Sequence, residues 1–204
     1  MITNYLLVLS GYLIGAIPFG LIYGKLVGID VRQNGSGNIG ATNVSRLLGK
    51  KLGLLTLISD AAKGLIPMAL AGWLLKDQPG TDLWVALCGT AAFLGHIFPV
   101  YLKFKGGKGV ATALGIFLYL NPLAALAAVV IFIAVVYLGG YVSLGSLLAA
   151  AAMPLIIWQT DGSREYILMT LAISVLIWIK HHENIGRLIR KEEKSWKKKE
   201  SRNG

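Results

Sequence analysis

The chain reads as an all-α, polytopic integral membrane helical bundle with seven transmembrane spans, its N-terminus outside and its C-terminus cytoplasmic. Three observations carry that expectation. Of 204 residues, 55% are hydrophobic and the mean hydropathy is +0.63, more apolar than a soluble domain. The apolar residues fall into runs close to the ~20 that cross a bilayer. Charged residues make up 15% of the chain, and the basic ones gather between runs, as they do in cytoplasmic loops.

The charge pattern also excludes functions. The formal net charge is +10 with twenty basic residues, many of them clustered from Lys180 to the C-terminus. A nucleic-acid binder would carry its basic residues on a folded polar domain, and none is evident. Charge set against anionic lipid headgroups is the simpler reading, so the expected partners are membrane lipids and not nucleic acid. The single cysteine, Cys88, lies inside an apolar run, which excludes a disulfide framework within one chain. The N-terminal M-I-T-N-Y-L-L lacks the basic region of a signal peptide, so the first run is expected to stay as a span. Residues 1–190 form one membrane domain and 191–204 a basic cytoplasmic tail.

Taken in order, Tyr5–Ile29 is the first span, with Gly11, Gly15, Gly20, Gly24 and Gly28 spaced to let helices approach closely. Pro18 is a candidate kink. Leu52–Leu75 is the second and contains Asp60 and Lys63, three apart on one helical face. Charges at that depth should pair and face the interior. Leu83–Leu102 is the third, with His96 and Pro99 near its end. Val110–Leu138 would make roughly 43 Å of helix, well over the ~30 Å hydrocarbon core. Asn121-Pro122 is the natural place to divide it, leaving a short fourth span and a full fifth. Tyr141–Gln159 is the sixth, Thr160–Glu165 a polar turn, and Tyr166–Ile179 the somewhat short seventh.

The division puts Arg32, Arg46, Lys50, Lys51, Lys103, Lys105, Lys108 and the whole tail on one side. Lys76 and Arg164 remain on the other. Six spans would set the Lys103–Lys108 cluster and the tail on opposite faces, so the positive-inside rule prefers seven. Asn34–Arg46, Lys103–Gly109, Tyr141–Ser146 and Lys180–Arg187 then meet at the cytoplasmic face.

The first two of those clusters suit phosphate. In N-G-S-G-N-I-G-A-T-N-V-S-R, Gly35, Gly37 and Gly40 leave backbone N–H groups unshielded, while Ser36, Asn38, Thr42 and Asn43 add polar groups and Arg46 a fixed cation. Successive exposed amides leading into a helix make anion-binding concavities, although the same composition serves a plain interfacial turn. In K-F-K-G-G-K-G, Lys103, Lys105 and Lys108 interleave with Gly106, Gly107 and Gly109. This is not a P-loop, because Leu102 and Gly109 stand where that pattern needs Gly and Ser or Thr. Ser143 and Ser146 flank Gly145 near a helix start, where capping is the simpler role. His181 and His182 are adjacent, face about 100° apart on a helix and lack a third ligand, so no metal is expected. His96 reads as a packing residue. No histidine has an aspartate five positions on, and no Gly-x-Ser-x-Gly elbow is present, so neither common acyltransfer device applies.

G-S-G-N-I-G-A-T-N-V-S-R, G-H-I-F-P-V-Y-L-K-F-K-G-G-K-G-V-A-T and H-H-E-N-I-G-R-L resemble, in order and spacing, the three signature motifs of the bacterial PlsY family of glycerol-3-phosphate acyltransferases. The resemblance covers the chain to about Arg190; Ser45 and Tyr101 are its small departures. It implies an integral protein of the bacterial inner membrane with its site facing the cytoplasm. It further implies transfer of a fatty acyl group from acyl-phosphate to glycerol-3-phosphate. The products would be 1-acyl-glycerol-3-phosphate (lysophosphatidic acid) and phosphate, in the first acylation of phospholipid synthesis, without a cofactor. Carried onto this sequence, it marks Ser36, Arg46, Lys105, His181 and Asn184 as catalytic. Gly37, Asn38, Gly40, Thr42, Asn43, Gly106, Gly107, Lys108, Gly109 and Ser143 would bind substrate or phosphate. An acyl-phosphate is already activated, which explains how such an enzyme can lack a dyad: positioning and charge neutralisation suffice. The residues alone leave an anion transporter and a lipid-binding scaffold open, and they leave the oligomeric state undetermined.

Overall fold

Pro18 has no N–H and its ring collides with the carbonyl four residues back, so a helix cannot run through it unaltered. In the computed structural model, which describes residues 1–160 and 163–197, the first apolar run is accordingly two helices, α1 (Ile2–Gly15) and α2 (Phe19–Leu26). The Ile17 carbonyl freed by the break accepts hydrogen bonds from the Phe19 amide at 3.2 Å and from Lys63 Nζ at 2.9 Å. Lys63 pairs in turn with Asp60 at 2.9 Å, both side chains almost fully buried, as their spacing predicts. The pair thus ties the second apolar run to the break in the first.

The remaining elements are all helical: α3 (Ala41–Leu48), α4 (Lys50–Leu75), α5 (Thr81–Ile97), a single 3-10 turn (Val100–Leu102), α6 (Val110–Leu120), α7 (Pro122–Gly139), α8 (Val142–Thr160), α9 (Arg164–Lys180) and α10 (His182–Ile189). The division of the long apolar run falls at Asn121. Its Oδ1 accepts the Leu123 and Ala124 amides at 2.9 and 3.1 Å, with Pro122 in the first helical position. An Asn cap followed by proline satisfies two orphan amides of α7 and needs no N–H at the third. In the polar turn between α8 and α9, residues 161–162 lie outside the described residues.

Small residues set the close contacts between helices. A Cβ on Gly15 of α1 would overlap the Ala92 carbonyl of α5, and one on Gly64 of α4 would overlap the Thr112 carbonyl of α6. Contacts also fix relative directions. Gly11 meets Cys88 and Gly15 meets Ala92, so α1 and α5 run parallel. Ser174 donates to the Ala150 carbonyl and Trp178 to that of Leu147, so α8 and α9 are antiparallel. Tyr166 reaches Asp82 at one end of α9 while Lys180 lies over the Phe98 ring at the other, so α9 runs parallel to α5. Met68, Phe93, Ile116, Met153 and Ile173 fill the core with no exposure.

The outer surface is apolar as well. Leu123, Leu126, Val130, Ile133, Tyr137 and Leu138 of α7 are all more than half exposed, as on a helix that faces lipid. Among the described residues, five helical stretches are long and apolar enough to cross a membrane, not seven: 2–26, 50–75, 81–102, 122–139 and 142–160. α6 has 11 residues, which rise only ~16 Å, and α9 has 17 with Arg164 and Lys180 at its ends.

The connections 27–40, 98–109 and 140–141, with α10, gather at one end of the bundle. The basic C-terminal segment does not leave this end at once. The Trp196 amide donates to the Gly140 carbonyl at 2.9 Å, its indole to Val136 at 2.8 Å, and Lys197 Nζ to Leu138 at 3.1 Å. Residues 191–197 therefore lie against the α7–α8 turn. The rest of the tail, 198–204, is outside the described residues.

Candidate active site

The first polar stretch is organised by Asn43. Its side chain is buried at the start of α3, where Oδ1 accepts the Ser36 amide at 2.9 Å. Its Nδ2 donates to the carbonyls of Val31, Asn34 and Asn38 at 3.0, 3.2 and 2.8 Å. Gly35 lies so close, at φ +67°, that a Cβ would overlap Asn43 Oδ1. Asn38 closes a smaller turn by accepting the Gly40 amide at 2.8 Å. Asn43, expected from the motif to bind phosphate, thus has its amide engaged in holding the loop. Ser36, Thr42 and Arg46 are exposed around that frame, and among the described residues Arg46 makes no ion pair.

The second stretch turns on His96. The Gly107 amide donates to the His96 carbonyl at 3.1 Å, and Gly106 and Gly107 pack so tightly there that any Cβ would strike the carbonyl or the imidazole. Gly109 takes φ +84° against the Phe93 ring and begins α6. Folding the loop onto α5 turns Lys108 inward and leaves Lys105 exposed on the far side. Lys108 Nζ donates to Asn184 Oδ1.

The third group comes from the α9–α10 junction. His181 is 3% exposed and its Nδ1 donates to the Ile177 carbonyl at 2.8 Å, so the tautomer leaves Nε2 as an acceptor. Asn184 sits one turn on, beside Ser143 of α8. Ser143 does not cap its helix; its hydroxyl donates to Glu193 at 2.9 Å. Ser146 donates back to the Val142 carbonyl at 3.0 Å.

These segments enclose a cavity of about 430 Å³. Its lining contains Ser36, Asn38, Gly40, Thr42, Asn43 and Arg46 from the first stretch and Lys108 and Gly109 from the second. Ser143, His181 and Asn184 complete the expected set. Four expected residues stay outside it: Gly37, Lys105, Gly106 and Gly107. Gly37 lies in a turn on the Asn34 carbonyl, and the other three are placed by the packing of their loop on α5.

Six ionisable lining residues lie outside the expected set: Asp60, His96, Arg187, Glu192, Glu193 and Lys194. Asp60 and His96 close the inner end, with His96 Nδ1 3.8 Å from Asp60 and, among the described residues, without a hydrogen-bond partner. Arg187 and Glu193 close the outer end, 2.7 Å apart. The adjacent acids Glu192 and Glu193 within a basic segment were the one signal available for the last.

The electrostatics favour an anion. Burial lowers the pKa of Lys108, with Arg187 and Arg46 acting in the same direction and Glu193 against it. A phosphate entering the cavity relieves that strain. Burial, reinforced by Lys108, brings His181 down to about 4, so its imidazole is neutral at pH 7. Burial disfavours charge on Glu193 too, but hydrogen bonds from Arg187, Asn184 and Ser143 outweigh it and hold its pKa below the usual value.

Arg46, Lys108, Arg187 and Lys194, from four segments around one cavity at one end of a helical bundle with an apolar exterior, define a membrane protein built to bind anionic substrates. Residues 5–191 match the family model described as glycerol-3-phosphate acyltransferase. The chain belongs to that family, and is an acyltransferase and an integral membrane protein of the PlsY type. It is 54% identical over 196 residues to the glycerol-3-phosphate acyltransferase of Desulfotalea psychrophila, covering 96% of this chain and all of the relative. It is 52% identical over 198 residues to that of Syntrophotalea carbinolica, covering 97% and 100%. The crystal structure of PlsY (YgiH), an integral membrane glycerol 3-phosphate acyltransferase, in its glycerol 3-phosphate form, superposes with a TM-score of 0.90 at 39% identity, over 95% of this chain and 96% of that one.

Proposed function

We propose that this protein transfers a fatty acyl group from acyl-phosphate to the 1-hydroxyl of glycerol-3-phosphate, giving lysophosphatidic acid and phosphate. The observation that carries the reading is the convergence of Arg46, Lys108, Arg187 and Lys194 on one cavity with no nucleophile–base dyad beside them among the described residues. Two polyanions must be brought together, and their mutual repulsion is the main barrier that cations and loop amides can lower. The substrate hydroxyl oxygen attacks the acyl carbon, the C–O bond to the leaving phosphate breaks, and the hydroxyl proton passes to an oxygen of a bound phosphate. Neutral His181 accepts a hydrogen bond from the attacking hydroxyl and orients it. With a conjugate acid near pKa 4 it is too weak a base at pH 7 to be the main proton acceptor.

Ser36 and the loop amides hold one phosphate and Lys108 with Asn184 the other. Lys108 takes the role that the motif suggested for Lys105. The acyl chain leaves the cavity past Leu57 and Phe132 of the lining, toward lipid. In this reading α6 and α9 also cross the membrane, giving seven spans, with the N-terminus outside and the cavity facing the cytoplasm of the bacterial inner membrane.

The test is purified protein with glycerol-3-phosphate and palmitoyl-phosphate, following phosphate release. Lys108→Ala should raise KM for glycerol-3-phosphate about 10- to 150-fold, since a hydrogen bond to a charged group contributes ~1.5–3 kcal/mol. Lys105→Ala should leave it within about twofold. No release by the wild type, beside uptake of an anion into proteoliposomes, would overturn the enzyme reading in favour of transport.

A further inference from the structure

Glu193 reaches the cavity from outside all three motifs. Two observations define what it does there. The segment that carries it is anchored beyond it by Trp196 on Gly140 and Val136 and by Lys197 on Leu138. Its side chain, only 9% exposed, is clasped by three donors from two helices. Ser143 Oγ of α8 donates to Oε1 at 2.9 Å, Asn184 Nδ2 of α10 to Oε1 at 2.6 Å, and Arg187 Nε to Oε2 at 2.7 Å.

The Asn184 bond matters most. An amide has a donor end and an acceptor end, and committing one end fixes the other. With Nδ2 on Glu193, the carbonyl Oδ1 must face Lys108, whose ammonium donates to it. Rotated by half a turn, Asn184 would present an NH2 to an ammonium. The same carboxylate holds Arg187 by Nε and so sets the plane of its guanidinium at the cavity mouth.

We propose that Glu193 is a positioning residue for glycerol-3-phosphate, acting through Asn184, Lys108 and Arg187. The inference deepens the acyltransferase reading and rests on it. The carboxylate touches neither substrate in this scheme. It fixes the direction of the hydrogen-bond chain from Glu193 through Asn184 to Lys108, so that the lysine is aimed before a phosphate arrives. It also offsets the repulsion among the cavity's cations while the cavity is empty. The C-terminal segment is accordingly part of the site and not only a membrane-surface tail.

The experiment compares Glu193→Ala, Glu193→Gln and wild type as full chains, measuring KM for each substrate and kcat. Calorimetry of glycerol-3-phosphate binding without acyl donor accompanies the kinetics. Glu193→Ala is expected to raise KM for glycerol-3-phosphate about tenfold and to weaken its binding equally, with KM for palmitoyl-phosphate within twofold. Glu193→Gln keeps one carbonyl oxygen for Asn184 and should recover part of the loss. A general destabilisation would lower activity with both substrates alike. If Glu193→Ala loses its thermal transition in detergent, the near-isosteric Gln variant carries the test, with an expected increase in KM of about threefold. Unchanged binding in the variants overturns the proposal. Tighter binding also overturns it, because the carboxylate would then be a plug competing with phosphate. Failure of wild type to release phosphate would refute the enzyme reading instead, and calorimetry would still report whether Glu193 governs phosphate-ester binding.

Discussion

Asn43 offers the sharpest separation between holding a site and belonging to its chemistry. Its amide makes four hydrogen-bond contacts within the first loop, one accepted and three to carbonyls that share its two N–H hydrogens. Removing them in Asn43→Ala costs about 1 kcal/mol each where the partners stay dry and less where water replaces the amide. Because residues 32–37 are exposed, water reaches part of the loop, and the net loss of local order should be ~2–3 kcal/mol. That is about a 30- to 150-fold fall in the population of the competent loop. The core around Phe93 and Met153 is untouched, so kcat/KM should fall by about that factor while the thermal transition in detergent moves little. Asn43→Asp makes the decisive comparison. It preserves shape and the acceptor for Ser36, but sets a carboxylate against three carbonyl oxygens, and it should be worse than Ala. An active Asn43→Asp variant, or an Ala variant with full activity, would refute the assignment of Asn43 to the loop frame.

Two further outcomes follow from the same structure. Removing one partner of the buried Asp60–Lys63 pair, as in Lys63→Met, leaves an uncompensated carboxylate and an orphaned Ile17 carbonyl. It should destabilise by ~3–5 kcal/mol, and Asp60→Leu combined with Lys63→Met should cost less than either single change; thermal unfolding in detergent reads both. His181 makes stability pH-dependent. Its folded pKa of about 4 lies below the ordinary 6.5, so the unfolded chain binds a proton first as pH falls. Its contribution is intact above about pH 6.5 and is lost progressively down to about pH 4, amounting to about 3 kcal/mol. Comparing unfolding of wild type and His181→Gln between pH 7 and pH 4 should show the wild type losing more; parallel curves would refute the buried neutral imidazole.

Much of the bundle was legible because its causes are local. Pro18 breaks its helix wherever it stands, and Asn121-Pro122 both stops one helix and caps the next. Asp60 and Lys63 pair because three residues set them on one face and lipid offers no other partner. The convergence of polar clusters followed from charge counting over the loops. The roles of individual residues within the clusters were not local in this sense. Asn43 reads as a phosphate ligand by its motif, yet its contacts are backbone carbonyls five to twelve residues away. Lys105 and Lys108 are equivalent as letters, and only the packing of Gly106 and Gly107 on His96 decides which one turns inward. Glu193 belongs to a segment whose composition says solvated tail, and it becomes part of the site only because Trp196 finds the α7–α8 turn. Composition and spacing determined that this is a membrane helical bundle with its polar clusters at one end. Which side chains face the cavity was decided by tertiary contacts, because a short loop's direction depends on the surface it packs against.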